Sequence, residues 1–166
     1  MTYQRFEELP VWKDAIRLAD MVYDFTENRA WRGSRSLRDQ LERAALSVSN
    51  NIAEGFERGT TNELLAFIYI ARGSAGEVRS MLCFLERRAG LADFKSQISN
   101  LKSLAESCSR QLRGWADHLQ NSQIKGQRHL NEESKRHYKQ HEDADEFRKM
   151  LSNRIAEKHH LRRNNT

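Results

Sequence analysis

Proline is almost absent. Pro10 is the single one in 166 residues, so beyond it no ring locks φ or removes a backbone donor, and every later segment can run as uninterrupted helix. Cysteine is nearly as scarce. Cys83 and Cys108 both fall at apolar, periodic positions, which excludes a disulfide scaffold and points to reduced core residues of the kind a cytoplasm permits. No apolar run approaches the roughly 18 residues of a membrane span, and Met1 to Phe6 carries no signal-peptide pattern. A soluble, cytoplasmic, all-α protein is the expectation, with no membrane partner. Histidine is missing from most of the chain: His118 is the only one among residues 1–120.

What is present is helical periodicity. Pro10 suits an opening helical position, where its missing donor would be unpaired anyway; the stripe Trp12, Ala15, Ile16, Ala19, Val22 and Tyr23 then carries a first helix to about Thr26. Ser36 and Asp39 approximate a capping box, starting a second helix near Leu37 that ends at Gly59, read as a left-handed cap. Thr60 and Glu63 open a third at once. So short a joint makes the two helices an antiparallel hairpin. The third helix runs to about Ala89, with Leu64, Phe67, Ile68, Ala71, Ala75, Val78, Leu82 and Leu85 inward. The fourth carries the clearest seam: Phe94, Ile98, Leu101, Ala105, Cys108, Leu112, Trp115 and Leu119 alternate spacings of four and three, which demands a long facing partner. Residues 8–120 therefore read as an antiparallel up-down-up-down four-helix bundle.

Residues 121–166 differ in kind. They hold eleven Lys/Arg against seven Asp/Glu and five of the six histidines, whereas residues 1–120 hold seventeen against sixteen. This basic, His-rich tail is a C-terminal polar extension, partly disordered or folded into one more amphipathic helix from about Glu142 to His160, on the spacing of Phe147, Leu151 and Ile155. Its histidines, including His137 with His141 and the pair His159-His160, are read as solvated, with no metal or other cofactor expected. Lys125 and Arg128, at its start, join Arg32, Arg35, Arg38, Arg72, Arg79, Arg87 and Arg88 as candidate phosphate contacts. Most aromatics fit the core pattern, which leaves Trp31 and Tyr138 for stacking on bases.

Two features of the bundle region resemble a site. The first is a polar stripe on the second helix, Ser47, Asn51, Glu54 and Arg58, beside the apolar row Leu37, Leu41, Ala44, Val48 and Ile52. Residues three and four apart share a face, so this stripe lies where the bundle meets itself or a partner; Arg43, Arg58 or Arg72 could pair with Glu54 or Glu77 across helices or subunits, and Asn50 and Asn51 could contact RNA. The second is Gly73-Ser74-Ala75-Gly76. Each helix-interior glycine costs roughly 1 kcal/mol relative to alanine, so this pair, like Gly55, argues for close backbone approach by another helix. Catalysis finds no support. Glu54 and Glu77 are single carboxylates on different helices, and the repeated Glu-x-x-His of a di-metal bundle is absent.

The runs Phe6-Glu7-Glu8-Leu9-Pro10-Val11-Trp12-Lys13, Gln40-Leu41-Glu42-Arg43-Ala44-Ala45, Ser49-Asn50-Asn51-Ile52-Ala53-Glu54-Gly55 and Ile70-Ala71-Arg72-Gly73-Ser74 with Glu77 resemble the four-helix-bundle proteins encoded in intervening sequences of bacterial 23S ribosomal RNA genes. The resemblance covers residues 6 to about 118. It implies a compact bundle that assembles into a ring-like homopentamer and associates with RNA or mobile elements. A similar bundle is the accessory variability determinant of diversity-generating retroelements, a basic pentamer that binds a reverse transcriptase and nucleic acid; residues 1–120 lack its strong positive charge. Two functions follow as expectations: a non-enzymatic, oligomeric module that binds RNA or DNA, or a protein-interaction scaffold serving as accessory subunit to a reverse transcriptase.

Overall fold

Leu9, in extended conformation, hands the chain to Pro10, which occupies the first turn of helix α1 (Pro10–Glu27), and a single 3₁₀ turn, Phe6–Glu8, precedes it. Three further helices follow in this computed structural model: α2 (Arg35–Glu57), α3 (Thr61–Glu86) and α4 (Lys95–Gln120), with a 3₁₀ segment, Ala89–Phe94, before the last. The structure describes residues 3–28 and 33–121, together with Gln140, Asp143, Ala144, Glu146 and residues 148–150. No helix among the described residues is long and apolar enough to cross a membrane.

Local chemistry sets the helix ends. Ser34 has extended backbone and its Oγ accepts from Leu37 N at 3.2 Å, so α2 begins two residues before the Ser36 capping box expected from sequence. Thr60 does cap α3: its Oγ1 accepts from Glu63 N at 3.2 Å and lies 2.7 Å from the Glu63 carboxylate. Gly59 is not the left-handed cap that its position suggested. No described glycine has positive φ; α2 stops instead because Arg58 turns extended (φ −72°, ψ 149°), donating its N–H to Gly55 O. The third helix ends at Glu86 rather than near Ala89, and Leu91 breaks helical geometry (φ −119°, ψ 21°) while burying its side chain.

The core divides into two clusters along the helix axes. One joins the second half of α1 (Leu18, Val22, Phe25) and the first half of α2 (Leu41, Ala45) to the second half of α3 (Val78, Leu82, Leu85) and the first half of α4 (Ile98, Leu101). The other joins the four opposite halves through Ala15, Val48, Ile52, Leu64, Ile68, Cys108 and Leu112. Beginnings therefore lie against ends all round the bundle: Glu86 of α3 receives Lys102 of α4 at 2.7 Å, Tyr69 receives Gln120 at 2.7 Å, and Asp14 of α1 receives Gln111 of α4 at 2.7 Å. Each fully buried leucine or isoleucine contributes about 1.5–3 kcal/mol relative to exposure. The ion pairs on the surface contribute about 0–1 kcal/mol each.

Cys108 belongs to this core and Cys83 does not. Position 83 falls beside, not on, the stripe Val78, Leu82, Leu85, and its side chain is exposed on the flank facing Lys102 of α4. The remaining unit of the chain, His129–Thr166, is described at seven positions between 140 and 150, all helical and exposed. Phe147, Leu151 and Ile155, which suggested a fifth helix, lie outside the described residues.

Gly55 shows the tightest approach between helices. A Cβ there would sit 2.7 Å from Phe67 Cβ and 3.2 Å from Leu64 Cδ1, so Gly55→Ala is expected to lower unfolding free energy by about 1–3 kcal/mol, as read by denaturant titration. Burial pushes the Cys108 thiol up to about 12, which removes its thiolate at neutral pH. One thiol per native chain, Cys83, should react with an alkylating reagent, and the second only after unfolding; mass spectrometry of labelled peptides checks the assignment.

Candidate interaction surface

Helix α2 buries Leu41, Ala44, Ala45, Val48, Ile52 and Phe56, which leaves Ser47 and Asn51 half-buried at the edge that meets α3. Three hydrogen bonds run across this edge in one sense. Asn51 Nδ2 donates to Ser47 Oγ at 3.0 Å, Ser47 Oγ stands 2.8 Å from Ser74 Oγ, and Ser74 Oγ donates to Ile70 O at 3.1 Å. With Ser74 donating to the carbonyl, Ser47 must donate to Ser74, and each hydroxyl then both gives and accepts. Asn51 Nδ2 also donates to Ser47 O at 2.7 Å. The amide is thus engaged within α2, and the Ser47–Ser74 bond ties α2 to α3.

One turn toward the start of α2, the same edge opens into a groove of about 480 Å³ lined by Gln40, Arg43, Ser47, Glu77, Ser80 and Met81. Arg43 and Glu77 are exposed, and neither makes an ion pair among the described residues. Glu54 pairs instead with Arg58 one turn along its own helix, and the Arg58 guanidinium lies 5.0 Å from the centre of the Phe67 ring. The structure thus brings Arg43, Ser47, Ser74 and Glu77 together and keeps Glu54 and Arg58 at the far end of α2. Asn50 is exposed. Trp12 is half-buried, its ring edge-on to Phe6 at 5.2 Å.

The expected phosphate contacts are scattered by the same geometry. Arg38 is held by Glu42 at 2.7 Å, and Arg79 faces Glu106 of α4 at 4.0 Å. Arg72 lies two turns from Arg79 on the same flank. Arg35, Arg87 and Arg88 gather at one pole, where α2 begins and α3 ends. Arg32, Lys125 and Arg128, like Trp31 and Tyr138, lie outside the described residues. No group of three or more His, Cys, Asp or Glu among the described residues could hold a metal ion.

Sequence reasoning missed the outer face of α3. Ile70 and Phe84 are each 51% exposed and Tyr69 is 41% exposed, with Ala66, Gly73, Gly76 and Ser80 exposed between them. These positions fall off the buried stripe Leu64, Ile68, Ala71, Ala75, Val78, Leu82, so a strict 3.6-residue reading would have flagged them as apolar residues without a core. A Cβ at Gly73 or Gly76 would meet nothing within 4 Å. The close approach inferred for those two glycines is therefore not made among the described residues.

The profile of the 23S rRNA-intervening sequence protein family matches residues 7–114. The chain belongs to that family. The match takes in all of α1, α2 and α3 and ends inside α4. A solved structure of a protein of unknown function, from the S23 ribosomal protein family in Bacteroides thetaiotaomicron, aligns with a TM-score of 0.58 at 18% identity. The alignment covers 64% of this chain and 97% of the other, which establishes a shared fold. Among curated proteins none matches.

The Ser47–Ser74 bond is testable by a double-mutant cycle. Ser47→Ala and Ser74→Ala are each expected to cost about 1 kcal/mol, and the double variant should cost less than their sum. Simple additivity in urea unfolding would mean that the hydroxyls do not act together.

Proposed function

We propose that this 23S rRNA-intervening sequence family member is a non-enzymatic bundle that associates with copies of itself through the α2–α3 face and works as an RNA-binding module. One observation carries the self-association: α3 exposes Ile70, Tyr69, Gly73 and Gly76 beside a groove whose Arg43 and Glu77 have no ion-pair partner among the described residues. Two helix-interior glycines cost roughly 1 kcal/mol each against alanine, and among the described residues nothing lies within 4 Å of a Cβ placed there. A helix from a second copy would use that space, cover Ile70 and offer Arg43 and Glu77 opposite charges. The pentamer implied by the resemblance is one closed arrangement of such a face.

Association with RNA draws support from the arginines left uncompensated at the α2–α3 pole. A modest basic face repeated by ring symmetry becomes a continuous band, and the basic tail adds to it. Free thiols fit a reducing compartment such as the cytoplasm. A protein-interaction scaffold serving as accessory subunit to a reverse transcriptase is the second reading; the near balance of charge in residues 1–120 favours a scaffold without base recognition and sets this chain apart from the basic retroelement protein.

Light scattering of the full chain should return a multiple of 19.4 kDa. The double variant Gly73→Leu, Gly76→Leu should fold with unchanged helicity but lose assembly, because the added side chains meet only the approaching copy. A monomeric parent, or an assembly indifferent to both leucines, overturns the interface. Filter binding in a salt series tests the RNA reading: affinity should fall steeply from low to moderate salt and drop further when residues 121–166 are removed. No retention of RNA at low salt favours the scaffold.

A further inference from the structure

A second groove, of about 470 Å³, lies at the pole where α2 begins and α3 ends. Leu37, Leu85 and Leu91 give it an apolar floor, and Ser34, Phe84 and Arg88 line its sides. Phe84 stays 51% exposed although the Arg88 guanidinium stands 5.6 Å from its ring centre. Two of the nearby carboxylates are already compensated, Glu42 by Arg38 and Glu86 by Lys102, whereas Asp39 and Asp93 make no ion pair among the described residues. Arg35, Arg87 and Arg88 are exposed and make no ion pair among the described residues.

An apolar slot of that volume, with an open aromatic face, a planar cation beside it and further uncompensated cations around its rim, matches the chemistry of a planar apolar group carried on a polyanion. A nucleobase on a phosphodiester chain has that chemistry. A base held in a duplex cannot present its face, so the ligand must be single-stranded. We propose that this groove at the α2–α3 pole binds an unpaired RNA nucleobase, stacked on Phe84 and gripped by Arg88, with Arg35 and Arg87 on the flanking phosphates. The site lies in the last turn of α3 and the first of α2, so a side-to-side association centred on Ile70 and Gly73 leaves it open. It rests on the RNA-binding reading above and gives that reading a location.

Fluorescence anisotropy with the full chain supplies the test, using a labelled oligoadenylate of about ten nucleotides and a blunt RNA duplex of equal length as probes. Phe84→Leu keeps apolar bulk but removes the stacking surface, and should weaken single-strand binding about tenfold while changing duplex binding by less than about twofold. Arg88→Ala should weaken single-strand binding at least as much. Arg113→Ala, which removes equal charge at the opposite end of the bundle, should leave it unchanged. Light scattering of Phe84→Leu should return the parental mass. If the parent binds the single strand and Phe84→Leu binds it equally well, the groove assignment fails while RNA binding stands. If Phe84→Leu dissociates the assembly, Phe84 belongs to the contact between copies and the groove assignment again fails. If the parent binds neither probe, both readings fall.

Discussion

The register between α2 and α3 governs every functional feature of this molecule. Gly55 lets the two backbones close until its hydrogen-only Cα stands against Phe67 and Leu64, and the extended residues Arg58 and Thr60 reverse the chain with no slack. From that fixed point the pairing proceeds residue by residue in opposite directions. Ser47 meets Ser74, Arg43 and Glu77 face one groove, and Leu37 and Phe84 face the next. A slip of one turn would carry Ser47 past Ser74, leaving half-buried hydroxyls without partners at a cost of about 1–3 kcal/mol per group.

That seam separates two kinds of polar residue which look alike in the sequence. Ser47, Asn51 and Ser74 hydrogen-bond to one another and to backbone, and the Ser47–Ser74 link joins α2 to α3. Arg43 and Glu77 stand at the same edge but reach no opposite charge among the described residues. The outer face of α3 adds exposed Ile70 and Tyr69 and a pair of glycines with open space above them. The helix thus uses one stripe to hold its own bundle and offers another outward.

Charge follows the same logic. Residues 1–120 are almost neutral in sum, yet folding pairs Arg38, Arg58, Arg79 and Lys102 with carboxylates on their own or neighbouring helices. Of the cations left without an ion pair among the described residues, Arg35, Arg87 and Arg88 gather at one pole, next to an open aromatic ring. Local excess of this sort, and not net charge, decides where a polyanion would settle.

The helices, the inward stripes of α2, α3 and α4 and the Thr60–Glu63 cap were legible in the sequence because they depend on spacing along one segment, and a 3.6-residue period is a local property; on α1 the stripe is shifted, with Val11, Leu18 and Phe25 buried and Trp12, Ile16 and Tyr23 only half-buried. Membership of the family was legible for a related reason, since its motifs are contiguous runs. Other readings depended on neighbours that the sequence does not name. Cys83 differs from Cys108 only by which flank of a helix meets another; Gly55 and Gly73 are equally costly in isolation, yet one is pressed against Phe67 and the other faces open space. The spacing of Phe84 places it off the buried stripe, but only the packing of α2 beside α3 makes it the wall of a groove. The chain by itself determined which stretches coil and which side of each is greasy; only the packed bundle decided which polar and aromatic groups remain unspent, because that depends on distances between residues far apart in sequence.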